Sequence, residues 1–522
     1  MQQLTGADYG SIFMERGNTF SHVAALVIYD PSSAPGGKVR FKDILAHFDR
    51  RLHRHPIFRR RLIAAPLGID RPYWFEDPEI DVEFHIRHIA LPHPGDWRQL
   101  MIQVARLHAR PLDRSRPLWE LYVVEGLDGI PGLPPGCFAM VFKFHHASVD
   151  GMAFLHLIEA LHSAASDRDP PEEAVRTVYA DRQPSTLDLA VHTVSHLAGR
   201  AVSLAKFSGA ILGKVAGIGK EMLVQRLNPE QGTGHDEPIA LPAIHRAPVT
   251  RFNHEISRHR VVDAVGLPLA AIKALRLKVP GVSINDIFLA VTGGALRKYL
   301  ALKNELPARS LTALMPISLR TSGKGGGNDV SGVAVSLCSD IADPIDRLKG
   351  AHVASRRAIH DADLLGRDTT KKLVDVAPSF IGEFIMRHVL LPQLNTAVSN
   401  LRGPEATLYV AGARMMRFYP VSMPADYSGL NHTAVSYGDH LWVGIVACQA
   451  MLPDPAVYAQ CFRDAFNETL AAAGLPRVDE PAFTNEPATG AAKIPARAAT
   501  RSPARRKPAP KKSGGPALRQ TG

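Results

Sequence analysis

One segment, residues 137–161, constrains this chain more than any other. The apolar run Cys137-Phe138-Ala139-Met140-Val141-Phe142 predicts a buried strand. It leads into Phe144-His145-His146-Ala147-Ser148-Val149-Asp150-Gly151. Met152 to Leu161 then carries apolar residues at helical spacing. Two imidazoles therefore sit where a buried strand ends. An acid stands four residues beyond the second, and a glycine opens a helix.

A histidine pair on an apolar strand is more often structural than chemical, so the pair alone decides nothing. The whole spacing His-His-x-x-x-Asp-Gly, in a strand–loop–helix context, points further. A neutral imidazole accepts a proton near neutral pH, and a strand end is a rigid place to hold it. Adjacent histidines on an extended backbone diverge, and His-Glu-x-x-His is absent, so the pattern disfavours a metal centre. No Gly-x-Ser-x-Gly elbow for a serine nucleophile is apparent either.

The chain has 522 residues, of which 45% are hydrophobic, as expected of two folded domains and a tail. Cys137, Cys338, Cys448 and Cys461 are widely spaced with no Cys-x-x-Cys pair. That argues against zinc or a disulfide framework and suits a reducing cytoplasm. The first residues lack a basic stretch followed by an apolar core, so no secretory signal is expected. The net charge of +11 is misleading. After Glu486 there are nine bases and no acid, which leaves 52 bases against 50 acids in the rest. Composition predicts a disordered Ala/Pro/Lys/Arg tail over 479–522. It reads either as a solvated appendage or as an electrostatic tether to anionic lipid or nucleic acid, with no specific nucleic-acid partner expected.

Strands are expected at Val23–Tyr29, Leu121–Val124 and Cys137–Phe144, and a helix at Phe41–Leu52, giving a mixed N-terminal domain over 1–180. A linker and helical connector follow over 181–245. Within it Leu187 to Leu227 lacks proline and reads as one long or two shorter helices, with Gly209, Gly213 and Gly217 spaced by four. It is too often charged to span a membrane. It would lie against the domains or touch a membrane or lipid droplet. A second mixed domain is expected over 246–478. Ser283-x-x-Asp286 reads as a capping box. Gly438-Asp439 reads as a hairpin turn between strands Thr433–Tyr437 and Leu441–Ala447. Asp454 and Gly474 read as the start and stop of a last helix.

Further segments narrow the chemistry. Arg116-Pro117-Leu118-Trp119-Glu120, Asn285-Asp286, Met315-Pro316-Ile317-Ser318-Leu319-Arg320, Gly327-Asn328-Asp329 and Ser399-Asn400-Leu401-Arg402-Gly403-Pro404 occur in that order. With His-His-x-x-x-Asp-Gly, this set resembles the bacterial wax ester synthase/acyl-CoA:diacylglycerol acyltransferase family, within the CoA-dependent acyltransferase superfamily. The resemblance covers roughly residues 4–475 and departs mildly at Leu401-Arg402, where a smaller, less charged pair is expected.

The resemblance implies an α/β fold of two chloramphenicol-acetyltransferase-like domains with mixed sheets and an active-site tunnel between them. It implies acyl-CoA as donor, diacylglycerol or a long-chain alcohol as acceptor, and no cofactor. His146 would be the general base. His145 would orient or support it. Asp150 would be structural or orienting, with Arg320 as one candidate partner. Gly151 would let the chain turn tightly into the helix. Asn285 would be a donor near the site, and Asn400, Gly403 and Pro404 a tight turn lining the tunnel. Two readings compete: a polyketide- or condensation-type transfer from a carrier protein, and an inactive lipid-droplet or membrane-binding protein. The intact motif disfavours the second.

Overall fold

The computed structural model describes residues 2–68, 70–77, 80–166, 185, 187–196, 199, 246–318, 330–365 and 391–478. The tail after 478, Arg320, residues 327–329 and all of the 187–227 stretch beyond 196 except Gly199 lie outside them. Residues 1–484 form one compact unit.

Three sheets organise the described residues. A small sheet joins β1 (Gln2–Gln3), β4 (Tyr73–Glu76) and β3 (Arg60–Ile63) in that order. A first six-stranded sheet runs β12 (Tyr409–Val410), β13 (Ala413–Val421), β2 (His22–Asp30), β7 (Phe138–His145), β6 (Trp119–Glu125) and β5 (Ile86–Ala90). A second runs β10 (Val330–Ser336), β9 (Thr312–Ser318), β11 (Thr396–Arg402), β14 (Leu430–Tyr437), β15 (His440–Cys448) and β8 (Arg260–Pro268). Both larger sheets are mixed. The pairs β5–β6, β9–β11 and β11–β14 are parallel and their other pairs antiparallel.

The longer helices are α1 (Gly6–Phe13), α2 (Phe41–Asp49), α3 (Trp97–His108), α4 (Gly151–Leu161), α5 (Leu269–Lys278), α6 (Ile284–Leu302), α7 (Pro344–Leu365) and α8 (Pro455–Ala472), with a further helix over 187–196. Their starts follow local chemistry. Asp96 and Gln99 form a capping box on α3, and Ser283 and Asp286 form the expected one on α6. Asp454 does stand before α8, with Pro455 in its first turn, yet its carboxylate makes no cap. It accepts instead from Tyr299 Oη on α6 and Lys303 Nζ just after it, each at 2.5 Å.

Strand β7 is buried along its whole length, as its apolar run requires. Lys143 interrupts that run. Its ammonium donates to the carbonyls of Leu107 and Arg110, at the end of α3, and stands 3.4 Å from Glu120. Burial lowers the pKa of this fully enclosed lysine to about 8.

Residues 409–421 depart from the division into 1–180 and 246–478. β13 belongs by sequence to the second half but pairs with β2 of the first sheet, from Arg414 opposite Asp30 to Val421 opposite Ala24. An edge strand in the first half is thereby covered by chain from the second. The first hydrophobic core accordingly includes Val262, Ala264, Val435, Trp442 and Val446 from the second sheet. The other core packs the remaining face of that sheet against α6 and α8, through Phe288, Leu296, Tyr458 and Phe462. The layers come close together at Gly444, where an added Cβ would lie 1.6 Å from the carbonyl oxygen of Pro420.

Gly444→Ala should therefore force β15 away from β13 and destabilise the protein by about 1–3 kcal/mol, the usual range for overpacking. Urea titration measures it, and an unchanged midpoint would contradict close packing at this point.

Candidate active site

His145 is the last residue of β7 and lies opposite His22 on β2. The chain then turns, and every N–H of the turn has a fixed acceptor. The His145 N–H donates to Leu118 O, and that of His146 to Ser21 O at 2.8 Å. The Ser148 N–H donates to His145 O, and the Ala147 N–H donates to His145 Nδ1 at 3.0 Å. The Pro117-Leu118-Trp119 segment serves as scaffold here. Trp119 donates its indole N–H to Phe58 O and stacks on His85 with ring centroids 4.4 Å apart.

The two histidines have different surroundings. His145 is buried, with Nε2 3.2 Å from Glu15 Oε1. His146 is half-buried. Desolvation of its ring lowers its pKa below the ordinary histidine value, with the charge of His145 adding to the effect. His146 is thus a neutral, partly open imidazole at neutral pH on a backbone pinned to two strands. That arrangement can take a proton from a hydroxyl and return it.

Asp150 is the N-cap of α4, with Oδ1 accepting the Ala153 N–H at 2.7 Å. The carboxylate thus fixes where the helix starts. Gly151 opens α4 but is not among the glycines of positive φ, so a tight turn is not its reason. A Cβ there would lie 3.1 Å from Leu401 Cδ1. Leu401, from the second sheet, packs onto the start of the helix and leaves little space for a side chain there. The two halves therefore meet within a few residues of His146.

The residues expected from the second half lie on α6 and on and after β11. Asn285, half-buried in the first turn of α6, lies 3.1 Å from Met315 Sδ. Asp286 also accepts from His352 Nδ1 at 2.9 Å and Ser355 Oγ at 2.5 Å, binding α6 to α7. Asn400 lies in β11, paired with Ala434, and is therefore in a strand where a turn was expected. Gly403 follows that strand, and a Cβ there would lie 2.3 Å from Ser436 O. Buried Pro404 then leads the chain away. Parallel pairing with β14 keeps 396–402 extended, so the glycine answers to close approach.

Glu15, Ser21 and His22 are the site residues that the sequence does not reveal. They lie more than 120 positions before the motif, in a segment with no distinctive pattern. Burial would raise the pKa of Glu15. Contacts with His145, Arg114 and the Ser21 N–H outweigh it and hold the value at about 2. Burial also lowers His22 well below the ordinary histidine range, with Lys143, His108 and His145 adding to it. Among the described residues, no cluster of three or more His, Cys, Asp or Glu could hold a metal ion. The four cysteines are free and buried.

Residues 4–288 match the wax ester synthase/diacylglycerol acyltransferase catalytic domain, and residues 326–469 match the C-terminal domain of the same proteins. The chain belongs to the wax ester synthase/diacylglycerol acyltransferase family. It is 30% identical over 482 residues to a Mycobacterium tuberculosis protein named as a diacylglycerol O-acyltransferase, covering 91% of this chain and 98% of the relative. A second such M. tuberculosis protein is 33% identical over 458 residues, covering 87% and 96%. Among solved structures, the wax ester synthase/diacylglycerol acyltransferase from Marinobacter aquaeolei VT8 superposes with a TM-score of 0.63 at 25% identity, covering 91% of this chain and all of that one. The first condensation domain of the CDA synthetase, at 14% identity, shares the fold, with a TM-score of 0.51 and coverage of 91% and 97%.

Asp150→Ala should cost about 1 kcal/mol of stability through the lost cap, whereas Asp150→Asn, which retains a capping oxygen, should cost only a few tenths. Parallel thermal melts of the two variants check this. Equal losses would show that the charge of Asp150, beyond its cap, holds the fold.

Proposed function

We propose that this protein is an acyl-CoA-dependent O-acyltransferase that moves a long-chain acyl group onto diacylglycerol, with long-chain alcohols as alternative acceptors. The observation that carries the reading is the half-buried imidazole of His146, kept neutral by burial on a hydrogen-bonded turn, in a chain of this family. The names of the M. tuberculosis relatives support diacylglycerol as acceptor, and that of the Marinobacter protein supports both acceptors.

In this reading His146 removes the proton of the acceptor hydroxyl as its oxygen attacks the thioester carbonyl carbon. The tetrahedral adduct collapses, the carbon–sulfur bond breaks, and the imidazolium gives its proton to the departing CoA sulfur. The ester is made without an acyl-enzyme. His145 supports the turn, and Asp150 sets the start of α4. Asn285, Asn400, Gly403 and Pro404 line the approach of substrates along the seam between the halves.

Labelled palmitoyl-CoA offered with dioleoylglycerol and with hexadecanol tests the activity. His146→Ala should lower turnover by about two to four orders of magnitude while leaving the melting temperature near that of the parent. Near-normal turnover would remove the base from His146. The base must be neutral, and its pKa lies below about 6.5. The rate should therefore stay level as pH falls through 7 and drop only in more acidic buffer.

Among the described residues no helix is long and apolar enough to cross a membrane. The acceptors are membrane lipids, so we place the enzyme at a lipid surface, held by the 187–227 stretch or the basic tail. In the helix over 187–196, Leu187, Val191 and Val194 are exposed while Leu189 packs on Tyr73 and Ala65. Flotation with anionic and neutral vesicles should distinguish the two. Binding that fades with salt and on deletion after Glu486 assigns the tail. Equal, salt-insensitive flotation of both proteins assigns the helical stretch, and no flotation discards both.

A further inference from the structure

We propose that Glu15 is a positioning residue for His146, its carboxylate clamping the turn that carries the base from both sides. The inference rests on reading His146 as the general base.

Glu15 follows α1 and lies far from the motif in sequence, yet one of its oxygens governs both ends of the turn. Oε1 accepts the Ser21 N–H at 2.8 Å, and Ser21 O in turn accepts the His146 N–H at 2.8 Å. The same Oε1 stands 3.2 Å from His145 Nε2, and His145 Nδ1 accepts the Ala147 N–H at 3.0 Å. Two short chains of contacts thus run from one oxygen atom to the peptide groups on either side of His146. Nδ1 accepts from Ala147, so Nε2 is the ring nitrogen that stands against the carboxylate. Ser21 is anchored separately through its hydroxyl, which donates to Ser11 O at 2.6 Å.

The clamp is itself restrained. Oε2 pairs with Arg114, and His22 Nε2 lies 3.7 Å from Oε1. The carboxyl is buried, with a side-chain exposure of 9%, and remains ionised down to a pH of about 2. A base displaced by about 1 Å can lose about a hundredfold in rate, so a support two contacts away can control turnover without touching substrate.

Steady-state kinetics with palmitoyl-CoA and dioleoylglycerol test this on Glu15→Gln, Glu15→Asp and Glu15→Ala, with His146→Ala in parallel. Gln keeps an acceptor oxygen at the Oε1 position and should stay within about threefold of the parent. Asp is one methylene shorter and cannot reach Ser21 and His145 together. It should lose about tenfold in kcat, and Ala about a hundredfold, both with KM unchanged. Parent-like kcat in Asp and Ala overturns the proposal. So does a Gln variant as slow as Ala, or a loss that appears in KM and melting temperature together. If Ala alone fails to fold, the contrast between Asp and Gln decides. If Asp and Ala both fail to fold, Glu15 is a fold determinant and the positioning role falls. An active His146→Ala overturns the base assignment and this role with it, whereas an inactive one beside parent-like Asp and Ala variants overturns Glu15 alone.

Discussion

The close approach of β15 to β13 is the constraint on which the rest depends. β13 leaves the second half of the chain to pair along β2 of the first sheet. There its Pro420 carbonyl leaves no room for a side chain at position 444. Backbone meets backbone at that point, so the two layers cannot slide relative to one another without losing either β13–β2 hydrogen bonds or apolar burial. Val435, Trp442 and Val446 then enter the core of the first sheet. The two halves are one folded object in consequence, and whatever lies between them is held at fixed width.

The candidate site lies in that seam. His146 is presented by the first sheet, at the end of its central strand β7, while Leu401 from β11 of the second packs onto Gly151 at the start of α4. A loop carrying His146 alone would be free to move. Here it is tied to β2 through Ser21, to the Pro117–Trp119 segment through Leu118, and to itself through His145. The turn that carries His146 is thus held by backbone hydrogen bonds, the kind of support that preorganises a site.

Behind the turn lies an unusual density of buried ionisable groups: Glu15, His22, His108, Lys143 and His145. Desolvation drives His108 to about 3 and Lys143 to about 8. His22 and His108 thus stay neutral at physiological pH, and Glu15 supplies a negative charge beside His22 and His145. Such a cluster is costly to bury unless its members are matched. The matching through Ser21, Arg114 and His145 fixes one arrangement of the turn.

Much of this was legible in the chain. Period-two and continuous apolar runs located β2, β6, β7, β14 and β15 to within a few residues, because side-chain burial alternates or persists along a strand regardless of partners. Ser283-x-x-Asp286 announced the start of α6, because a capping box is local chemistry. The spacing His-His-x-x-x-Asp-Gly placed His146 at a strand end and Asp150 at a helix start. What the sequence could not supply was anything that depends on contacts between distant segments. Gly151 is crowded by Leu401, the reason for Gly403 is Ser436, and Asp454 serves α6 in place of its own helix. Strand β13 crosses between halves because a sheet edge needed covering, and no local pattern encodes that. Glu15 stands 130 positions from His145 and carries no motif, so its role appears only once β2 and β7 are paired. Local periodicity and capping were written in the residues, whereas the seam, the clamp and the glycine clearances were decided by packing.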